Sequence, residues 1–276
     1  MKKLALLLAA LSVASVSYAK EVAPVAEVVV EPVVEETTEV VATDKGLFYI
    51  AKNFQELRAL PGFTINAPAG LVPGAGVVFA GISGTSNSDD TDGGLGFGFG
   101  YGNPYESVGG AASLTVGSID PRDGGSFNRG GLNLSLGHVF SEYGLGAAVG
   151  VTNIDLWHAD HDQKLDPSFY GAVTKLLPND IAPMTLTVGL GNNIYADVDE
   201  DGDKKDKVYP FVSLAAYVLP QMSLIADFTS GITSAGVSVV PFPSIPVSMT
   251  MGAYDISDET VQGTSFIAGL SAAYVF

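Results

Sequence analysis

Twelve short segments, in which large apolar residues alternate with small ones, run through residues 75–276 and constrain the fold more than any other feature. In one of them, Leu132 and Leu134 alternate with Asn133 and Ser135. Because successive side chains of a β-strand point to opposite faces, each segment is predicted to be a strand with one apolar face and one small, more polar face. The predicted strands are 75–84, 93–102, 108–119, 130–140, 145–157, 168–178, 184–195, 208–219, 222–230, 233–242, 246–256 and 264–276.

The length and chemistry of these strands favour a barrel in a membrane over a soluble β-sandwich. A tilted membrane crossing takes about 9–11 residues, which matches the predicted strands and exceeds the usual soluble strand. Polar loops alternate with short turns along the chain, except near residues 230–233, and this alternation is typical of transmembrane barrels. The predicted fold is an all-β, transmembrane, antiparallel up-and-down β-barrel of about twelve strands, with a short N-terminal helix and a disordered acidic linker.

The part of the chain before the strands divides into three segments that differ in composition. Residues 1–19 have two lysines, an apolar run and a small-residue ending, which predicts a cleaved secretory signal peptide. Residues 20–43 are rich in Val, Pro and Glu and predict an extended periplasmic linker. Residues 44–74 are predicted to be an amphipathic, plug-like segment, with a helix over 45–60 that ends at Pro61. This helix is expected either to enter the barrel or to lie on the inner membrane surface.

The overall composition excludes several classes of partner and site. The formal net charge is −17, whereas nucleic-acid binding needs clustered Lys and Arg. The chain contains no cysteine, so disulfides and cysteine-based metal sites are excluded. Beyond residue 19, no apolar stretch is long enough for a membrane-spanning helix.

The last predicted strand ends on Phe276, with Tyr274 and Leu270 at alternate positions before it and a smaller Ala272 between them. The chain resembles the outer-membrane β-barrel proteins of Gram-negative bacteria, porins among them, in three features: these last residues, the predicted signal peptide and the alternating strands. The resemblance covers residues 75–276 and concerns architecture. It implies an outer-membrane location in contact with lipid. It also implies that Phe276, Tyr274 and Leu270 form the recognition signal for the barrel assembly machinery.

The strand face predicted to line the lumen consists mainly of Gly, Ala, Ser, Thr and Asn, with Tyr209, Phe211 and Tyr254 as larger members. Asp227 is an acidic residue in the middle of a predicted strand and is the candidate functional residue of the lumen. The three arginines of the chain fall outside the predicted strands, so an anion-selective wall is not expected. Small wall residues leave a narrow passage or make room for residues 44–74, and the sequence leaves both alternatives open.

The fourth outer loop contains half of a calcium-binding motif. Gly202 permits the sharp turn of such a loop, but Val208 stands where a bidentate glutamate usually completes it. The sequence therefore predicts either a calcium site or a solvated acidic hairpin loop, and it predicts no other cofactor. The candidate ligands are Asp197, Asp199, Asp201 and Asp203.

The three histidines, His138, His158 and His161, cannot be paired with a serine by spacing, so catalysis is not predicted. The predicted function is a small pore for cations or small neutral solutes, because acidic outer loops concentrate cations at the mouth of a pore. The alternative is a non-conducting structural or surface-contact barrel that is plugged by its own N-terminal segment. The expected partners are outer-membrane lipid, the assembly machinery and small solutes.

Overall fold

Twelve antiparallel strands close into one barrel in the computed structural model, which describes residues 57–86, 91–117, 119, 127–159, 166–179, 181–196, 208–257 and 263–276. The strands are β1 (Val77–Ser86), β2 (Thr91–Gly102), β3 (Gly109–Gly117), β4 (Arg129–Phe140), β5 (Leu145–His158), β6 (Ser168–Leu177), β7 (Met184–Gly191), β8 (Tyr209–Leu219), β9 (Met222–Thr229), β10 (Ile232–Val239), β11 (Val247–Tyr254) and β12 (Ser265–Val275). Consecutive strands pair throughout, and β1 pairs with β12 to close the barrel. The predicted barrel of twelve strands is confirmed.

The outer surface of the barrel is apolar, and the inner face is made of smaller residues. In β2, Phe97 and Phe99 are 52% and 54% exposed on the outside, and Gly98 between them faces the lumen. A Cβ atom at Gly98 would lie 2.7 Å from the ring of Phe79 and 2.5 Å from the carbonyl oxygen of Ala112. Glycine is therefore required in β2 where the large ring of Phe79 packs inside the wall.

The two ends of the barrel differ in their connectors. The end that carries Val77 and Val275 is named the terminus end, and the opposite end is named the loop end. At the terminus end, residues 220–221 join β8 to β9 directly. At the loop end, residues 230–231 join β9 to β10 with φ angles of 60° and 79°, as in a two-residue hairpin turn. The connector near residues 230–233, which departs from the predicted alternation of polar loops and short turns, is therefore a tight turn.

The predicted N-terminal helix is wrong for residues 57–60, the part of it that the structure describes. The backbone N–H of Arg58 donates to the carbonyl oxygen of Pro243 at 2.8 Å, so a partner on the barrel replaces the bond within a helical turn. Residues 1–56, which include the predicted signal peptide, the linker and the rest of the helix, lie outside the described residues. Among the described residues, no helix is long and apolar enough to cross a membrane.

Candidate functional site

Residues 57–74, named the plug, enter the lumen and leave it again at the terminus end. Arg58 is bonded to the connector between β10 and β11, and the backbone N–H of Ala75 donates to the carbonyl oxygen of Gly102 at 2.7 Å, where β2 ends. Between these points the plug reaches Asp227, which lies two residues before the end of β9 at the loop end. The plug is therefore a re-entrant loop, and its tip consists of residues 65–67.

Asp227 holds the tip of the plug through its carboxylate. Its Oδ2 atom accepts hydrogen bonds from the backbone N–H groups of Ile65, Asn66 and Ala67, at 3.1, 3.3 and 3.1 Å. Its Oδ1 atom accepts a bond of 2.7 Å from the hydroxyl of Thr229. The residue is 3% exposed, so the carboxylate is removed from water. Consecutive backbone N–H groups that converge on an anion offset its charge without a basic side chain.

A row of inward-facing polar residues runs through five neighbouring strands beside the plug. The row is in hydrogen-bonding register from β6 to β10 and consists of Thr174, Thr187, Ser213, Asp227 and Ser234. The Thr174 hydroxyl accepts a bond of 2.8 Å from the backbone N–H of Gly70, and the Ser213 hydroxyl donates to the carbonyl oxygen of Phe63 at 3.2 Å. The Ser234 hydroxyl accepts from the side-chain amide of Asn66 at 3.3 Å.

A second pair of hydroxyls holds the plug nearer the terminus end. The Ser238 hydroxyl accepts a bond of 2.8 Å from the backbone N–H of Gly62, and the Ser223 hydroxyl donates to the carbonyl oxygen of the same residue. An irregular segment has no strand or helix partner for its backbone groups, which must be paired when buried. The small polar residues of the lumen wall supply that pairing.

The plug also has an apolar core inside the barrel. Phe63, Ile65 and Ala69 pack against wall residues that include Tyr217 and Ile225. Sequence reasoning did not single out these two wall residues. Strand alternation could have found them, because they lie an even number of positions from Ser213 and Asp227 and so share the inward face. A smaller cluster joins the tip to β6 and β8 through Ala67, Ala172 and Phe211.

Two glycines allow the returning arm of the plug to lie against the backbone of the wall. A Cβ atom at Gly70 would lie 2.4 Å from the carbonyl oxygen of Gly146 and 2.5 Å from the backbone nitrogen of Thr174. A Cβ atom at Gly146 would in turn lie 2.6 Å from the carbonyl oxygen of Gly70. Backbone atoms cannot move aside as a flexible side chain can, so any larger residue at Gly70 would displace the plug.

A second polar group lies at the loop end of the barrel, on the strands opposite β9. Arg129 is the first residue of β4, which corrects its expected place outside the strands. It is 7% exposed, its Nη2 atom lies 3.5 Å from Oδ2 of Asp92, and its Nε atom has no hydrogen-bond partner among the described residues. On β5, His158 Nδ1 lies 3.0 Å from Oδ2 of Asp155. The first contact joins β4 to β2 across the intervening β3, and the second lies within β5.

The described histidines, His138 and His158, are not hydrogen-bonded to Asp227. The ring of His138 packs edge-on against Phe140, with ring centroids 4.5 Å apart. Among the described residues, neither His138 nor His158 is hydrogen-bonded to a serine hydroxyl, and no group of three or more His, Cys, Asp or Glu could hold a metal. His161 and the candidate calcium ligands Asp197, Asp199, Asp201 and Asp203 lie outside the described residues, so the calcium site stays a prediction.

The candidate assembly residues lie on the outer face of β12 and, for Phe276, directly after it, beside the seam with β1. Phe276, Tyr274 and Leu270 are 80%, 58% and 45% exposed. The backbone N–H of Phe276 donates to the carbonyl oxygen of Gly76 at 3.0 Å. The side chains are therefore available for recognition, which stays a prediction.

The described start of the fourth outer loop is fixed to the barrel by Tyr195. This residue is 1% exposed, and its ring centroid lies 5.8 Å from those of Tyr170 and Phe211. Its hydroxyl lies 3.4 Å from that of Thr152. Burial removes the hydroxyl from water and raises the pKa of Tyr195. Tyr195 thus packs against Phe211, which belongs to the same buried cluster as Ala67 of the plug tip.

No family model and no curated protein matches this chain. Among solved structures it is similar to outer membrane phospholipase A from Escherichia coli, with 11% identity and a TM-score of 0.43 over 72% of this chain and 92% of that chain. It is also similar to the Salmonella typhi outer membrane phospholipase dimer with bound calcium, with 11% identity and a TM-score of 0.43 over 75% of this chain and 92% of that chain. An active-site mutant of the Escherichia coli enzyme gives 13% identity and a TM-score of 0.44 over 82% of this chain and 98% of that chain.

Proposed function

We propose that this protein is an outer-membrane β-barrel that is closed by its own plug, so that it does not conduct in this state. The observation that carries the proposal is the buried contact between Asp227 and three consecutive backbone N–H groups of the plug tip. The hydroxyls bonded to Gly62, Phe63 and Gly70 support it. Of the two functions that the sequence predicts, the geometry favours the plugged structural barrel, which anchors its own chain in the membrane.

The exposed apolar belt supports the membrane location. On the neighbouring strands β7 and β8, Val188, Leu190, Val212 and Leu214 are between 38% and 56% exposed. Soluble monomers rarely expose a continuous apolar surface of this kind, whereas lipid stabilises it. None of the twelve described strands has an unpaired edge in the closed barrel, and backbone within hydrocarbon requires such pairing.

The Leu134→Arg variant is expected to lower the free energy of unfolding in lipid by about 2–4 kcal/mol, because the arginine would lie near the middle of the bilayer. Leu134 is in the middle of β4 and is 37% exposed on the outer face. Denaturant titration of the barrel in lipid vesicles measures the change. The matched control is Tyr143→Arg, at a residue 64% exposed in a terminus-end connector, where the expected cost is about 0–1 kcal/mol. Equal costs for the two variants would contradict the membrane orientation.

Removal of the plug is expected to turn a silent barrel into a conducting one. The full chain and a variant lacking residues 57–74 would be reconstituted separately in planar bilayers, and single-channel currents compared. The full chain is expected to give no steady current, and the deletion variant is expected to give open channels. Heat-modifiable migration on gels would show that both proteins fold as barrels.

A disulfide lock provides a second test in which the plug is retained. Ala67 and Ala172 pack in one buried cluster, and the chain has no cysteine of its own. The Ala67→Cys/Ala172→Cys variant is expected to open occasionally at high voltage when it is reduced. When it is oxidised, the same variant is expected to stay closed at the same voltages. Steady conductance from the oxidised variant, or equal conductance from the full chain and the deletion variant, would contradict the plugged barrel.

A further inference from the structure

We propose that Asp227 has a second role, as the cation-selective residue of the lumen after the plug has left it. This inference rests on the proposed plugged barrel and adds the class of solute that the open state passes, which is small inorganic cations. In the closed state, three backbone N–H groups and the Thr229 hydroxyl surround the carboxylate of Asp227. When the plug leaves, the backbone donors leave with it and the carboxylate faces the lumen.

The wall around Asp227 offers no basic side chain to take the place of those donors. Within the twelve described strands, the lysines and arginines are Arg129 and Lys175, and the two histidines are on β4 and β5. Arg129 lies on β4, five strands from β9 in a ring of twelve, and is paired with Asp92. Lys175 neighbours the inward-facing Thr174, so it lies on the outer face of β6, where its Nζ atom donates to the carbonyl oxygen of Tyr143. An exposed Asp227 would therefore be offset by ions from solution.

The neighbours of Asp227 suit a partly hydrated cation. Ser213 and Ser234 stand directly beside it in register on β8 and β10, and the Thr229 hydroxyl already touches its carboxylate. Hydroxyl and carboxylate oxygens are the ligands that hard cations accept in channels and binding sites. The three N–H groups of the plug tip thus occupy, in the closed state, the position that a cation takes in the open state.

Because Asp227 lies inside the lumen, the salt dependence of its effect on selectivity differs from that of the acidic loops at the mouth. Exposed charges are screened over about 10 Å at 0.1 M salt and about 3 Å at 1 M salt, whereas partly buried charges are screened much less. Selectivity that depends on Asp227 is therefore expected to persist at high salt. Selectivity that depends on the outer loops is expected to fade.

The experiment measures reversal potentials in potassium chloride gradients with the variant lacking residues 57–74. This variant is expected to prefer potassium over chloride several-fold, at both low and high salt. In the same background, Asp227→Asn is expected to bring the ratio of potassium to chloride permeability close to one, because it removes the charge of the side chain and keeps its size. The matched control is Asp166→Asn, at an exposed loop-end residue, which is expected to leave the high-salt ratio unchanged.

The Gly70→Val variant of the full chain gives an independent route to the open state. Its added Cβ atom would lie 2.4–2.5 Å from backbone atoms of the wall, so the plug is displaced without any deletion. The Gly70→Val variant is expected to give the same ratios of potassium to chloride permeability as the deletion variant. Cation preference that survives Asp227→Asn, or a lack of preference in both opened variants, would overturn the inference. Equal currents from the full chain and the opened variants would instead overturn the plugged barrel.

Discussion

The Asp227→Ala variant is expected to release the plug from an otherwise intact barrel. Alanine removes the acceptor of three backbone N–H groups at the plug tip, and each buried donor left unpaired costs about 1–3 kcal/mol. The tip can avoid this cost by moving into water, because the plug is not part of the barrel sheet. The strands keep their own bonds. The expected result is therefore an open lumen with a folded wall.

Thiol labelling at Thr64 measures the release directly. The chain has no cysteine, and the buried Thr64 hydroxyl has no hydrogen-bond partner in the part of the chain that the structure describes, so Thr64→Cys is a mild and unique reporter. Its reaction with a maleimide is expected to be slow in the otherwise unchanged protein and at least about tenfold faster with Asp227→Ala, the factor that 1.4 kcal/mol represents. Asp227→Asn keeps one carbonyl acceptor, so its labelling rate is expected to lie between those of the other two proteins. Equal labelling rates in all three proteins would mean that Asp227 does not hold the plug.

Deletion of Phe276 is expected to lower assembly in the outer membrane sharply while changing the stability of the assembled barrel little. The side chain is 80% exposed, and the residue's backbone bond to Gly76 is the last one at the seam. Little packing is therefore lost. A strong effect in cells would come from recognition of the chain by the assembly machinery, as the resemblance to outer-membrane barrels implies.

Two measurements separate recognition from stability in this case. The folded fraction in cells is read from heat-modifiable migration, and the unfolding of protein refolded in detergent is read from denaturant titration. Phe276→Ala keeps the backbone bond and is expected to behave like the deletion in cells, whereas Phe276→Trp keeps an aromatic ring and is expected to assemble. Normal assembly of the deletion variant, or equal losses in cells and in detergent, would argue against an assembly signal.

The strands could be predicted because their signal is local. In β4, the alternation of Leu132 and Leu134 with Asn133 and Ser135 has the period of a strand with two different environments. The ends were predicted less well where a turn follows at once. β7 was expected to reach residue 195 but ends at Gly191, because residues 193–195 form a short 3-10 turn that buries Tyr195.

The plug could be predicted only as one of two alternatives. The helical spacing of apolar residues over 45–60 is a local pattern, but Arg58 and the residues after it find their partners on the barrel, and tertiary contacts override such propensities. Asp227 was found as a charge inside a strand, yet its partners at the plug tip are about 160 residues earlier in the chain. No spacing rule connects groups that far apart.

The entry and exit of the plug at one end have a consequence for the order of folding. A segment that ran from one mouth to the other would have to be threaded, so the sheet could not close before the chain had passed through it. The plug is instead a hairpin whose two arms, near Arg58 and Ala75, both stay at the terminus end. The seam between β1 and β12 can therefore close first, and the hairpin can insert, withdraw and insert again without any strand having to separate.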